Sequence, residues 1–273
     1  MILYPAVFGE LQLSAKRSQP ANLRMSAVIQ ALDRFVGEDT DEWVKDAQLV
    51  GLSYAMWLTM YMVVRHNLFP KLSADSSNRV VSLVHSCIAS ITPLLAVDFT
   101  ALRANVGTPT TEAQLWALRL TLGYFLYDMF CCLAIELTHD GVDVANLFHH
   151  IATTSGMWVG VFQRISGQEL LMCLGLMEVS NPCMHMRYIF REVKWHDKGI
   201  AQVNDVAFAL TFLFCRNVLG LFVVTWTTLS PTTPLLVKLG GIGIALVSWF
   251  WTHKLVSMII RKVKGKKSAK KAE

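Results

Sequence analysis

His149 and His150 stand side by side in a stretch otherwise apolar enough to lie in a bilayer, and Glu178, Ser180, Asn181, Pro182 and Arg187 follow within a second such stretch. A third buries Asp128 at the end of Gly123-Tyr124-Phe125-Leu126-Tyr127-Asp128. Ionisable groups in hydrocarbon are costly and pair with one another or face a wet cavity, so they mark a site. A carboxylate beside an imidazole fixes its tautomer. Asp128 or Glu178 in that position would equip His149 or His150 as a general base, or as a nucleophile toward a thioester. Neighbouring residues on a helix diverge by about 100°. One histidine is therefore expected to face the cavity centre, and the other to orient it or to bind an adjacent helix. A purely structural, hydrogen-bonded histidine pair is the competing account.

Other polar residues fall at spacings that could serve the same cavity. Glu178, Asn181 and His185 lie at i, i+3 and i+7, one stripe of a helix, and Tyr124 and Asp128 are four apart. His85 interrupts an apolar helix, as an interhelical hydrogen-bonding group or as a cavity residue. Arg216-Asn217 offers a cation for a carboxylate or a donor for broken backbone groups, while His139, Asp140 and Asp143 read as loop and cap residues. Membrane di-iron oxidases also use adjacent histidines, but they need several histidine boxes, and the place of a third histidine is taken by Asn146. Cys87, Cys131, Cys132, Cys173, Cys183 and Cys215 all fall in apolar spans and form no C-x-x-C pair. They read as packing residues, and no metal or other bound cofactor is expected.

The elements that must position these groups are membrane helices. The chain of 273 residues is 53% hydrophobic and 16% charged, with a mean hydropathy of +0.40. That exceeds what a water-soluble core requires. A transmembrane helix needs roughly 20 apolar residues, and seven segments qualify: 47–67, 79–97, 116–137, 145–163, 168–190, 205–229 and 234–260. No alternating strands accompany them, so the class is all-α and polytopic. Pro182 should kink or partly unwind the fifth span. Ahead of the spans, residues 1–46 lack the basic start of a signal peptide, and residues 22–36 have the pattern of an interfacial or solvated amphipathic helix.

The basic residues set an orientation. Arg65, Lys71 and Arg79, then Arg187, Arg191, Lys194 and Lys198, then the tail 263–273 fall on one side of a seven-span chain, which should be cytosolic. The ending Lys270-Lys271-Ala272-Glu273 resembles the dilysine retrieval signal of endoplasmic reticulum membrane proteins, read by retrieval machinery of the COPI type. A polybasic segment against anionic headgroups is the plainer reading. The tail accounts for most of the net charge of +5, and no nucleic-acid partner is implied.

Arg79 with Ser82 and His85, Gly123-Tyr124 with Asp128, His149-His150, and Glu178-Val179-Ser180-Asn181-Pro182 with Arg187 together resemble the TLC-domain family. The resemblance covers roughly residues 78–262, after a first helix at 47–67. It implies a six-helix TLC bundle around a lipid-accessible cavity, with one N-terminal transmembrane helix in addition. It also places His149, His150, Asp128 and Glu178 in catalytic positions, and His85, Tyr124, Ser180, Asn181 and Arg187 in substrate-binding ones. In ceramide synthases of this family a histidine pair followed by threonine opens the signature, matching His149-His150 with Thr153. Their signature continues with His-Asp and a second Asp, where this chain has Met177-Glu178 and Asn181. An amide cannot take a proton near neutral pH, and the Glu-x-Ser-x-Pro form looks more like the TLC-domain-containing proteins of membrane lipid homeostasis.

Three functions remain open at this stage. The first is an endoplasmic reticulum protein, multi-pass with a cytosolic C-terminus, that binds a lipid or acyl chain and acts in lipid homeostasis. The second is a sphingoid-base N-acyltransferase of the ceramide synthase type, with acyl-CoA as co-substrate. The third is a cargo receptor or chaperone recycled through Lys270 and Lys271.

Overall fold

A computed structural model describes residues 41–138 and 141–272, the last eleven by backbone alone. The amphipathic segment at 22–36, the pair His139-Asp140 and the side chains of Lys270 and Lys271 lie outside the described residues. The chain divides into two compact units, Met1–Leu49 and Val50–Glu273. Of the first, residues 41–49 are described and include the opening turns of a helix. The cavity and the contacts that frame it belong to the second.

Among the described residues there are nine α-helices, in chain order α1 Glu42–Val63, α2 Ala74–Ala96, α3 Glu112–Leu137, α4 Val144–Phe162, α5 Gly167–Glu178, α6 Asn181–Glu192, α7 Gly199–Phe214, α8 Gly220–Leu229 and α9 Leu235–Ala272. Single π turns extend α1 over Val64–Leu68 and join α7 to α8 over Cys215–Leu219. Among the described residues there is one isolated bridge, Pro109 with Ile165, and no longer strand pairing. Among the described residues five helical segments, beginning at Glu42, Ala74, Glu112, Gly199 and Leu235, are long and apolar enough to cross a membrane. The protein is an all-α polytopic membrane protein. The segment read as one fifth span is two twelve-residue helices, α5 and α6, broken at Val179-Ser180. Pro182 at the start of α6 has no N–H to give the carbonyl of Glu178, which is the physical reason for the break.

Local chemistry sets the helix starts. Ser73 caps α2 by accepting from Ser76 N–H, Thr111 and Gln114 form a reciprocal capping box on α3, and Asp143 caps α4 through Ala145 and Asn146 N–H. The bundle buries polar groups and presents apolar ones: Ile91, Leu94, Leu95, Phe130, Leu210 and Leu246 are each more than half exposed. That is the distribution expected where lipid is the solvent. Close helix contact is made where side chains are small. A Cβ on Gly123 of α3 would meet Ser53 Cβ of α1 at 2.5 Å, and Ser53 and Trp57 both donate to the Leu120 carbonyl, at 2.7 and 3.3 Å.

Two clusters of hydrogen bonds tie the opposite ends of the bundle. At one end Glu169, 1% exposed, accepts from Gly107 N–H at 3.0 Å and from Thr233 Oγ1 at 3.2 Å, linking the start of α5 to two loops. Gly107 has φ +75°, and a Cβ there would run into Thr232 and Thr233. At the other end Glu192 of α6 accepts from Ser73 N–H at 2.6 Å, Ser73 Oγ at 2.8 Å and Ser76 Oγ. Burial pushes the Glu192 carboxyl up, but the hydrogen bonds from Ser76 and Ser73 outweigh it and the net shift is downward. A folded-state value below the unfolded one stabilises the fold above the unfolded value and ceases to do so as pH falls through the folded one. Glu192→Gln should lower the melting temperature at neutral pH by roughly 2–4 °C. That gap should close at acid pH, as a pH series of melting curves on both proteins would reveal.

Candidate functional site

Asp128 on α3 is the hub of the polar interior. Asn78 of α2 donates to Asp128 Oδ1 at 2.7 Å, and Ser82, one turn later, lies 3.5 Å from the same oxygen. Asn78 is itself aimed by Tyr127, whose hydroxyl donates to Asn78 Oδ1 at 2.5 Å. The other oxygen, Oδ2, faces His150 Nε2 of α4 at 3.5 Å. Three helices thus converge on one carboxylate, with the His150 imidazole within ion-pair reach of it.

A second cluster surrounds the break between α5 and α6. Glu178 Oε2 lies 4.0 Å from His85 Nδ1. His85 stacks on Tyr124 with ring centroids 3.5 Å apart and planes 6° from parallel, against the edge of Trp57. Arg216, in the π turn between α7 and α8, donates from Nη2 to the Met177 carbonyl at 2.6 Å and to Asn181 Oδ1 at 2.9 Å. Phe125 meets the edges of both His149 and His150, and His149 meets Trp251 of α9.

Asp128, His149, His150, Glu178, Asn181 and Arg216 line a cavity of about 810 Å³ and lie deep inside it. Its rim includes the exposed residues Asp143, Arg191, Lys254 and Arg261, all at the Glu192 end of the bundle. Below it a narrow apolar slot of about 50 Å³ runs between α4, α5, α8 and α9, past Met157, Cys173, Val223 and Val237 toward Glu169. Phe125, His149 and Glu178 border both spaces. Asp128, Cys132 and His150 offer ligand atoms within 4.8 Å of one another and are the described residues that could hold a metal ion. Asn78 already donates to both Asp128 and Cys132, at 2.7 and 3.6 Å, so hydrogen bonds account for the trio's approach.

The family model for the TLC domain matches residues 75–259. The chain belongs to the TLC-domain family. It is also similar to TLC domain-containing protein 4 A of Dictyostelium discoideum, with 21% identity over 195 residues, covering 68% of this chain and 74% of that one. No solved structure matches it.

Of the residues singled out from sequence, the TLC domain brings Asp128, His149, His150, Glu178, Tyr124, Asn181 and Arg187 to the cavity wall. Both histidines border it, where one was expected, because the cavity is wide enough to span an arc of α4 rather than a single face. His85 and Ser180 are not on the wall. His85 is 1% exposed behind Tyr124, and Ser180 is fully buried at the helix break. Arg187 reaches the wall paired to Asp205, with Nε 3.3 Å from Oδ1. Asp143 is the cap of α4. Asn78 and Cys132 were not singled out for the cavity. Asn78 precedes Ser82 and His85 at i, i+4 and i+7, a stripe that would have found it.

Proposed function

We propose that this TLC domain binds a lipid by threading one acyl chain from the polar cavity into the apolar slot, and that the protein acts in membrane lipid homeostasis. The observation that carries this reading is that the apolar slot adjoins the polar cavity, the two sharing Phe125, His149 and Glu178 as wall residues. A cavity of this size lies in the range of ligand sites, roughly 300–1,000 Å³, and its change from polar to apolar lining matches a molecule with a head and a tail. The dilysine-like tail supports residence in the endoplasmic reticulum. The positive excess on the loops beside Arg79, Arg187 and Arg191 supports a cytosolic mouth and a cytosolic C-terminus.

One observation favours acyl transfer as a second reading. The pairing of Asp128 with His150 at 3.5 Å is the orientation a general base needs. In that case acyl-CoA would supply the chain, and a substrate amine would meet His150 from the cavity.

Photo-crosslinking tests the binding reading without any mutation. A diazirine-tagged acyl lipid, incorporated into the membrane before purification, should label the slot residues Met157, Cys173, Val223 and Val237. Peptide mass spectrometry reads the sites. Labelling confined to outward-facing residues such as Leu210 and Leu246 would overturn the proposal.

A further inference from the structure

Arg216 makes two hydrogen bonds through Nη2 and none through the rest of its fork. Its Nε and Nη1 are buried and have no hydrogen-bond partner among the described residues, although the residue is only 6% exposed. A guanidinium is not deprotonated in proteins, so these nitrogens remain charged donors. Leaving such donors unmatched in a low-dielectric interior is costly. The rings of Phe212 and Trp251 flank the group, 4.9 and 5.8 Å from its carbon, and hold it in place without offering an acceptor. The neighbouring acid, Glu178, is turned toward His85.

Position turns this deficit into a binding site. Arg216 lines the polar cavity. Gly220, Val223 and Thr227 continue its helical row at i+4, i+7 and i+11, and Val223 and Thr227 line the slot. The residue therefore sits at the neck where the polar space gives way to the apolar one. It is carried there by a π turn, a distortion often found at functional sites.

Building on the acyl-chain reading above, we infer that Arg216 is the headgroup anchor of this site: one of its unmatched donors, on Nε or Nη1, receives a carboxylate oxygen of a long-chain fatty acid whose tail enters the slot. A guanidinium N–H to a carboxylate oxygen is a charge-assisted hydrogen bond, roughly twice as strong as a neutral one.

The test uses the full-length protein purified in detergent, with palmitate, methyl palmitate and hexadecanol as probes and native mass spectrometry as the readout. The three share a chain and differ in the head, so the alcohol and ester measure the slot alone. Wild type should bind palmitate about tenfold or more tightly than hexadecanol or the ester, the size expected for a charge-assisted pair. Arg216→Gln keeps a donor for the Met177 carbonyl but loses the charge and the spare N–H groups. It should bring palmitate down to the level of the alcohol and leave hexadecanol unchanged. Equal binding of acid and alcohol by wild type, or a preference that survives in Arg216→Gln, overturns the anchor while the chain reading stands. Failure of all three probes to bind wild type defeats both. If the variant does not fold, the wild-type acid-to-alcohol ratio decides the matter by itself.

Discussion

Asp128→Ala should destabilise the bundle by about 3–5 kcal/mol, the range for removing one member of a buried, hydrogen-bonded polar set. The loss exceeds that of one contact because Asp128 accepts from Asn78, faces His150 and lies within reach of Ser82 and Cys132. Removing it leaves the Asn78 amide without its acceptor and His150 without its ionic partner. Asp128→Asn keeps the shape and one acceptor oxygen, and should lose no more than about 1–2 kcal/mol. Melting curves in detergent, followed by fluorescence, would separate the two variants. The comparison also tests whether His150 needs a charge opposite it. If Asp128→Asn stays folded and keeps its lipid yet loses acyl transfer, the carboxylate orients a base; if transfer is unchanged or was never present, its role is to hold α2, α3 and α4 together.

How much of this was legible beforehand depends on the kind of information each residue carries. The helical spans follow from composition, because a run of apolar residues long enough to cross a bilayer has few alternatives. The family follows from widely separated residues such as Asp128, His149-His150 and Arg187 taken together. Pairing is different. The sequence offers two carboxylates, Asp128 and Glu178, and several imidazoles, but which faces which depends on the depth of each helix. Periodicity gives direction around a helix and says nothing of height. The break between Glu178 and Asn181 was signalled by Pro182, yet nothing in the sequence tells a kink from two separate helices. The partner of that break, Arg216, comes from a π turn with no sequence mark at all, since Cys215–Leu219 reads as ordinary helix. That Arg216 could serve broken backbone groups was legible; that the group is the Met177 carbonyl, with Asn181 beside it, appears only across the interior.

Gly241→Leu should empty the slot while leaving the bundle intact, and it is the sharpest test of where the chain lies. The slot exists largely because Gly156, Gly240 and Gly241 contribute no side chains to it. These glycines are not equivalent. A Cβ on Gly240 would press on the Ala152 carbonyl at 3.2 Å, so substitution there would disturb the contact between α9 and α4. A Cβ on Gly241 finds only Val224 Cγ2 at 3.9 Å, an ordinary contact, and a larger side chain can grow from it into the slot. Excluding two or three methylenes of a bound chain forfeits roughly 0.8 kcal/mol each, which together is more than about a tenfold loss in affinity. Bound lipid, counted by native mass spectrometry after purification, should fall accordingly, with the melting temperature of the delipidated protein little changed. The polar cavity should be unaffected, because Gly241 does not line it. A headgroup bound there without its chain would then exchange freely. An unchanged lipid load in Gly241→Leu would mean that the chain leaves the cavity sideways between the helices, and that the space below His149 and Glu178 is a packing gap.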